Sequence, residues 1–157
     1  MPAASNKSEK SNGARNDNIE FGVLPDLIGY QLRRAQLMFF QHFAATLGEK
    51  KITPGQLGLL VLISENPGIS QSALAKAAGI ERSTLGEVVS AMEKSGLVIR
   101  ERMERDRRTH AVSLSRKGRQ TLTEILPLVR RHEIAAASNL DAKERRQLLT
   151  LLRRLAS

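Results

Sequence analysis

The sequence predicts a mainly α-helical fold with one small β-hairpin. On both sides of residues 97–115, apolar residues recur at steps of three and four, which is the period of helices that bury one face. Only residues 97–115 alternate apolar and polar residues, which is the period of strands. A chain of 157 residues with 41% hydrophobic residues has the size of one domain rather than two.

The composition narrows the classes of partner. The chain has 25 Lys and Arg against 16 Asp and Glu, a formal net charge of +9, which favours a polyanion such as nucleic acid or an anionic membrane surface. The absence of cysteine fits a reducing, cytoplasmic compartment and excludes disulfides, thiol redox sensing and thiolate metal sites. Because there is no run of 18 apolar residues and no apolar signal-peptide centre, we expect neither a membrane span nor export.

The N-terminal part divides into a polar tail and a long helix. Residues 1–18 have almost no apolar content and are expected to form a disordered tail. Residues 24–50 predict a helix that begins near Pro25 and is apolar over much of its circumference. Its two stripes are Ile28, Leu32, Ala35 and Phe39, and Leu37, Phe40, Ala44 and Leu47. One stripe can enter the chain's own core, whereas the other needs a second partner, either a twin subunit or a ligand pocket.

Three shorter helices follow between residues 53 and 96. Thr53 caps the first ahead of Pro54, and Ser70 caps the second, which Gly79 ends and in which Leu74 and Ala77 can face inward. The third begins at about Glu81 and ends before Gly96. Its inward spacing comprises Leu85, Val88, Val89 and Met92. Its free face comprises Arg82, Ser83, Thr84 and Glu87.

Two strands and two more helices complete the chain. The segments LVIRER and THAVSLS flank a basic tip, MERDRR. Ser115 is the predicted cap of a helix that runs to the late 130s, which Pro127 is expected to kink. Asp141 and Glu144 form a capping-box start for the last helix. That helix is expected to bury Leu148, Leu151, Leu152 and Leu155.

Helix, short helix, helix and hairpin, in this order over residues 53–115, predict a winged helix-turn-helix, in which the third helix enters the DNA major groove. Residues 100–119 hold eight Lys or Arg against three acids, a surplus of five of the nine net positive charges. A basic projection beside a helix with a free polar face suits phosphate neutralisation and arginine insertion into a narrow minor groove. A merely solvated charged hairpin is the alternative.

The segment SQSALAKAAGIERSTLGEVVSAMEKSGLVIRERMERDRRTHAVSLSRKGR resembles the core of the MarR family of transcriptional regulators. The matching features are the Leu-Ala pair, Ser-Thr at the start of the third helix, the Lys-x-Gly-Leu-Val exit, the Asp-Arg-Arg wing and Leu-Ser-x-x-Gly. The resemblance implies a homodimer with interlocked N- and C-terminal helices, so that residues 24–50 and 116–157 dimerise. It also implies a pseudo-palindromic duplex operator with half-sites about one helical turn apart.

Carried over position by position, the resemblance implies a set of residues that face the DNA. On the helices these are Ser70, Gln71, Arg82, Ser83, Thr84 and Glu87, and on the wing they are Arg105, Asp106, Arg107 and Arg108. Arg108 would enter the minor groove, held by a salt bridge from Asp106. Glu87 departs from the family pattern and can accept a hydrogen bond from cytosine, and Gly86 is a second departure that we interpret as tolerated.

The resemblance also implies a small-molecule pocket beside the first helix. All five aromatic residues lie within residues 21–43, and LPDLIGYQLRRAQ resembles the subgroup that senses hydroxycinnamate-type catabolites or their coenzyme A thioesters. The candidate effector-binding residues are Tyr30, Arg33, Arg34, Phe39, Phe40, His42 and Phe43. An arginine would pair with a carboxylate or a thioester's phosphates. Core or dimer packing of the aromatics and solvated arginines are the alternatives.

Other functional classes have little support in the sequence. His42, His110 and His132 lie on three elements without ligand spacing, so we expect each to be a solvated or core histidine, with no metal and no cofactor. The sequence contains no phosphate-binding glycine loop, no nucleophile elbow and no His-Glu-x-x-His motif, which are motifs that would indicate an enzyme. The hypothesis is a ligand-responsive dimeric repressor. The alternative is a winged-helix module that binds RNA or protein without sequence-specific DNA recognition.

Overall fold

A computed structural model describes residues 19–103 and 106–157. The chain forms two compact units. The boundary between them follows Arg34, which lies inside the first long helix. The elements in order are α1 (Ile28–Leu47), α2 (Pro54–Glu65), β1 (Ile69–Ser70), α3 (Gln71–Ala78), α4 (Arg82–Lys94), β2 (Val98–Met103), β3 (Asp106–Leu114), α5 (Arg116–Ala136) and α6 (Ala142–Leu155). Short 3-10 turns cover Leu24–Asp26 and Gly48–Lys50. The predicted disordered tail, residues 1–18, lies outside the described residues.

The predicted helix caps are confirmed. The Thr53 hydroxyl accepts a hydrogen bond from the Gln56 amide at 3.2 Å, and the Gln56 side chain accepts one from the Thr53 amide. The Ser70 hydroxyl accepts from the Ala73 amide at the start of α3, and the Ser115 hydroxyl accepts from the Gly118 amide at the start of α5. Asp141 forms the predicted capping box with Glu144. Because these side chains satisfy amides that the first turn leaves without partners, they fix where each helix begins.

The sheet has three strands rather than the predicted two, in the order β1-β3-β2. β3 pairs antiparallel with β2, and its other edge pairs with β1 through Ile69 with Val112 and Ser70 with Ala111. β1 is only two residues long, so it carries no alternating pattern that a sequence could reveal. This pairing connects the start of α3 to β3, which together with β2 forms the predicted wing.

The core lies between the helices and one face of this sheet. It is a continuous cluster whose fully buried members include Leu60, Ile63, Leu74, Leu85, Val89, Met92, Val98, Val112 and Ile125. α5 continues through Pro127. Among the described helices, none combines the length and apolar content that a membrane span requires.

Several predicted core positions are wrong. In α3, Ala75 rather than Ala77 is buried beside Leu74. Of the two stripes on α1, only Leu47 is buried, together with Phe43. No residue of α6 is buried, because a single chain offers its apolar face no partner. The first long helix begins at Ile28, since Pro25 lies in the 3-10 turn before it.

Candidate nucleic-acid interface

The amphipathic pattern of α4 determines which of its faces is free. Leu85, Val89 and Met92 are fully buried, so the opposite side of the helix points away from the core. The exposed residues of α4 include Arg82, Ser83, Thr84 and Glu87, which its spacing predicted to be free. A guanidinium, two hydroxyls and a carboxylate are groups that can bind phosphates and base edges.

α3 precedes α4 through a tight turn. Gly79 adopts φ +66°, a left-handed conformation that ends α3 and favours glycine. Ser70 is occupied as the α3 cap, since its hydroxyl accepts from the Ala73 amide at 3.2 Å. Gln71 is half-buried, and its amide nitrogen is shielded from solvent without a hydrogen-bond partner among the described residues. A contact from Gln71 to DNA therefore requires its side chain to turn outward.

An open groove of about 550 Å³ runs between the free face of α4 and the root of β2. We call it the α4–β2 groove, and it is lined by Ser83, Gly86, Glu87, Ser90, Ala91, Lys94 and Arg100. A Cβ added at Gly86 would meet nothing within 4 Å, which agrees with its interpretation as a tolerated residue. The groove lies on the same side of α4 as the predicted DNA contacts.

Arg100 on β2 is fixed against the last turn of α4. Its Nε donates to Glu93 Oε2 at 2.8 Å, and its Nη2 donates to the same oxygen. The hydrogen bond from Arg100, together with the guanidinium charge, lowers the pKa of Glu93. This ion pair joins the end of α4 to β2, the first strand of the wing.

The exit of α4 is also fastened to the start of α5. Gly96 adopts φ +75°, and the Ser115 hydroxyl donates to its carbonyl oxygen. Lys117 Nζ donates to the Ser95 carbonyl at 2.7 Å. Gly118 packs so tightly that an added Cβ would lie 1.9 Å from the Leu97 carbonyl oxygen. The end of α4, the start of the wing and the start of α5 therefore meet at one junction.

The basic tip of the wing is only partly described. The β2–β3 ladder extends to Met103 paired with Asp106, with an irregular register after Arg102. Arg105 lies outside the described residues, and so do the side chains of Asp106, Arg107 and Arg108. The predicted Asp106–Arg108 ion pair therefore stays a prediction.

The candidate effector residues fall into two groups. In the unit that ends at Arg34, the guanidinium of Arg34 lies 5.8 Å from the centre of the Tyr30 ring, and the centre of the Phe21 ring lies 6.4 Å from that of Tyr30. Arg33 is exposed. The stacking of Arg34 on an aromatic face is a cation–π arrangement that holds its charge at the surface.

The second group contains a histidine pair that sequence reasoning missed. His42 on α1 and His132 on α5 approach with their Nδ1 atoms 2.7 Å apart, so neither is a lone histidine, although His132 is buried in the core as one of the two expected alternatives. Phe39 and Phe43 pack edge-on against the His132 ring. Phe40, in contrast, is exposed. The available signal was that His132 continues the α5 stripe of Leu122, Ile125 and Val129.

The environment of His132 favours the neutral form of its ring. The ring is 3% exposed, and desolvation lowers its pKa below the ordinary value of 6.5. Glu133 opposes this shift, and His42 adds to it. A hydrogen bond between two Nδ1 atoms needs one donor and one acceptor, so the two rings cannot both be fully protonated while it lasts. Among the described residues, no group of three or more side chains is placed to hold a metal ion.

Comparisons with known proteins agree with this architecture. The MarR family pattern matches residues 52–110. A Thauera aromatica protein assigned as a transcriptional regulatory protein for the hcr operon is 38% identical over 135 residues, covering 85% of this chain and 81% of that protein. The chain belongs to the MarR family. It is a DNA-binding transcriptional regulator, and its relatives are not enzymes.

Solved structures of MarR-type regulators share the fold. The transcriptional repressor CouR bound to a 23-mer DNA duplex superposes with a TM-score of 0.83 at 37% identity, covering 88% of this chain and 99% of that chain. CouR bound to p-coumaroyl-CoA gives a TM-score of 0.82 at 35% identity, covering 88% and 97%. The predicted winged helix-turn-helix with a small β-wing is therefore confirmed.

Proposed function

We propose that this chain is a homodimeric repressor that occupies a pseudo-palindromic operator and leaves it when a small aromatic acid, or its coenzyme A thioester, binds. The observation that carries the proposal is the free polar face of α4 beside the basic β2–β3 wing. Helix and wing lie on either side of the α4–β2 groove and are joined through Glu93 and Arg100. A rigid pair of this kind can enter adjacent grooves of one duplex.

The proposed DNA contacts divide by chemistry. On α4, Arg82, Ser83, Thr84 and Glu87 are exposed and reach base edges or phosphates, with the Glu87 carboxylate accepting from cytosine. At the start of α3, Ser70 and Gln71 lie beside the sugar–phosphate backbone of the DNA. On the wing, Arg105, Asp106, Arg107 and Arg108 supply minor-groove and phosphate contacts.

The exposed apolar face of α6 supports the dimer. The exposed fractions of its five leucines lie between 36% and 58%, far above those of the core. They are Leu148, Leu149, Leu151, Leu152 and Leu155. A second copy of the chain would cover this face, with α1 contributing from the N-terminal side. Two copies then present two α4 helices to half-sites about one helical turn apart.

The effector is proposed from charge and from similarity. CouR, at 35% identity, is known bound to p-coumaroyl-CoA, and this chain carries Arg33 and Arg34 beside Tyr30 on its first helix. Guanidinium groups pair with carboxylates and phosphates, and aromatic rings stack on a phenolic guest. The guest releases DNA only if it prefers the non-binding arrangement, and a tenfold preference is worth about 1.4 kcal/mol.

Selection from a pool of randomised duplexes tests the DNA half of the proposal. The purified chain is expected to enrich a sequence with two inverted half-sites and to bind it, as two copies per duplex, more tightly than a scrambled duplex. A double-stranded RNA of equal length serves as competitor. Equal competition by the RNA, with no enriched sequence, would instead indicate a winged-helix module without DNA specificity.

Displacement from the enriched duplex tests the effector half. p-Coumaroyl-CoA and p-coumarate are titrated separately into the complex, and fluorescence anisotropy follows release. Arg33→Ala should keep the DNA affinity and raise the concentration of compound needed for release, whereas Lys143→Ala, a matched loss of charge on α6, should change neither. An unaltered response of Arg33→Ala would rule out the role given to this guanidinium.

A further inference from the structure

The α4–β2 groove contains two positive groups that the predicted DNA contacts do not include. Lys94 lies in the last turn of α4, and Arg100 lies at the start of the wing. Both line the groove. Lys94 is exposed and, among the described residues, forms no ion pair, whereas Arg100 is about 28% exposed and held by Glu93.

The position of the groove defines what can pass through it. If α4 enters the major groove, as the proposed function holds, and the wing enters the adjacent minor groove, the sugar–phosphate backbone that separates the two grooves must cross between helix and wing. The α4–β2 groove occupies that interval and is open to solvent. A strand with one negative charge per nucleotide would therefore lie against Lys94 and Arg100.

We infer that the α4–β2 groove is a binding site for one DNA backbone strand, with Lys94 and Arg100 as its phosphate contacts and Glu93 as the residue that positions Arg100. This rests on the proposed docking of α4 and the wing.

Other groups in the groove refine the position of the strand. Glu87 lies seven residues before Lys94 on the same side of α4, and its carboxylate repels phosphate. The Ser90 hydroxyl is already used, since it donates to the Gly86 carbonyl at 2.8 Å. The phosphates are therefore placed at the Lys94 end of the groove, with Glu87 left to face the bases.

Glu93 has a role that its charge alone would not give it. A carboxylate near DNA weakens binding by repulsion, yet Glu93 accepts two hydrogen bonds from Arg100 through one oxygen. That geometry fixes the guanidinium at the wall of the groove before DNA arrives, so little side-chain entropy is lost on binding. The two roles predict opposite effects when the charge is removed.

Lys94→Gln tests the phosphate contact. Loss of one contact per protomer should reduce the slope of log affinity against log salt by about 1.8 for the dimer. The affinity advantage of the wild type should consequently shrink about twelvefold between 50 and 200 mM salt. Lys143→Gln, the same change on α6, should leave the slope unaltered. An unchanged slope for Lys94→Gln would overturn the assignment.

Glu93→Gln tests the positioning role. We expect operator binding to weaken by roughly three- to fivefold and the salt slope to fall, with the thermal melting temperature unchanged. In an Arg100→Gln background, the same substitution should strengthen binding, because only repulsion is left to remove. Stronger binding by Glu93→Gln in the wild-type background would show that Glu93 acts by repulsion alone and would contradict the inference.

The measurements separate this inference from the proposed function. Salt slopes are recorded on both the enriched and the scrambled duplex. Equal wild-type affinity for both duplexes would contradict the proposed operator recognition. A slope change for Lys94→Gln on either duplex would still support the backbone site, since phosphate contacts do not depend on sequence.

Discussion

Gly118 lies where the start of α5 meets the exit of α4, and its missing side chain is a packing requirement. An added Cβ would lie 1.9 Å from the Leu97 carbonyl oxygen, a backbone atom that cannot move without shifting β2. Gly118→Ala is expected to lower the free energy of unfolding, measured by urea denaturation, by about 1–3 kcal/mol or more.

Gly86→Ala is the matched control, because its Cβ would meet nothing within 4 Å. Alanine is favoured over glycine inside a helix, so this variant should be more stable by about 0.5–1 kcal/mol. If the two variants changed stability in the same direction, the close packing of Gly118 on Leu97 would be wrong.

His132 makes stability depend on pH. Burial lowers its pKa below 6.5, so the unfolded chain binds more protons than the folded chain at acidic pH. The stabilisation is therefore complete above pH 6.5 and is lost as pH falls towards the lowered pKa. We expect His132→Leu to have a shallower dependence of unfolding free energy on pH below 6.5. Parallel curves for the two proteins would exclude His132 as the source.

The wing is expected to act as an electrostatic element. Residues 100–119 carry more than half of the net charge of the chain, and Arg108 belongs to the Asp-Arg-Arg sequence of the tip. Arg108→Ala should weaken operator binding and lower its salt slope, because an arginine that enters the minor groove releases counterions. Arg145→Ala on α6 provides the control. If Arg108→Ala kept the wild-type affinity and salt slope, the wing tip would not be part of the DNA interface.

The elements with local signals were predictable, and those that depend on distant partners were not. Thr53, Ser70, Ser115 and Asp141 cap the helices that they were expected to begin, because a cap bonds amides only two or three residues away. β1 was missed because its two residues gain their order from β3, more than 40 residues along the chain.

The candidate site divides in the same way. Periodicity placed the free face of α4 correctly, since the buried Leu85, Val89 and Met92 define it. The approach of His42 to His132 and of Glu93 to Arg100 depends on how helices and strands pack, which residue spacing does not contain. The leucines of α6 were predicted to form a buried apolar face, and in the single chain that face is exposed.

The whole molecule is expected to be a dimer closed by α6. Leu151 is 48% exposed in the single chain and lies in the middle of the apolar face. Leu151→Glu would place a charge in the proposed interface, and sedimentation velocity should show a shift from dimer to monomer. A wild-type chain that sediments as a monomer at micromolar concentration would contradict the dimer.

Sequence-specific duplex binding tests the account most directly. Fluorescence anisotropy of the purified chain would be measured with its enriched duplex and with a scrambled duplex of equal length, at several salt concentrations. We expect saturation at two protomers per enriched duplex, tighter binding than to the scrambled control and a steep linear fall of log affinity with log salt. Equally weak, salt-sensitive binding to both duplexes would contradict it.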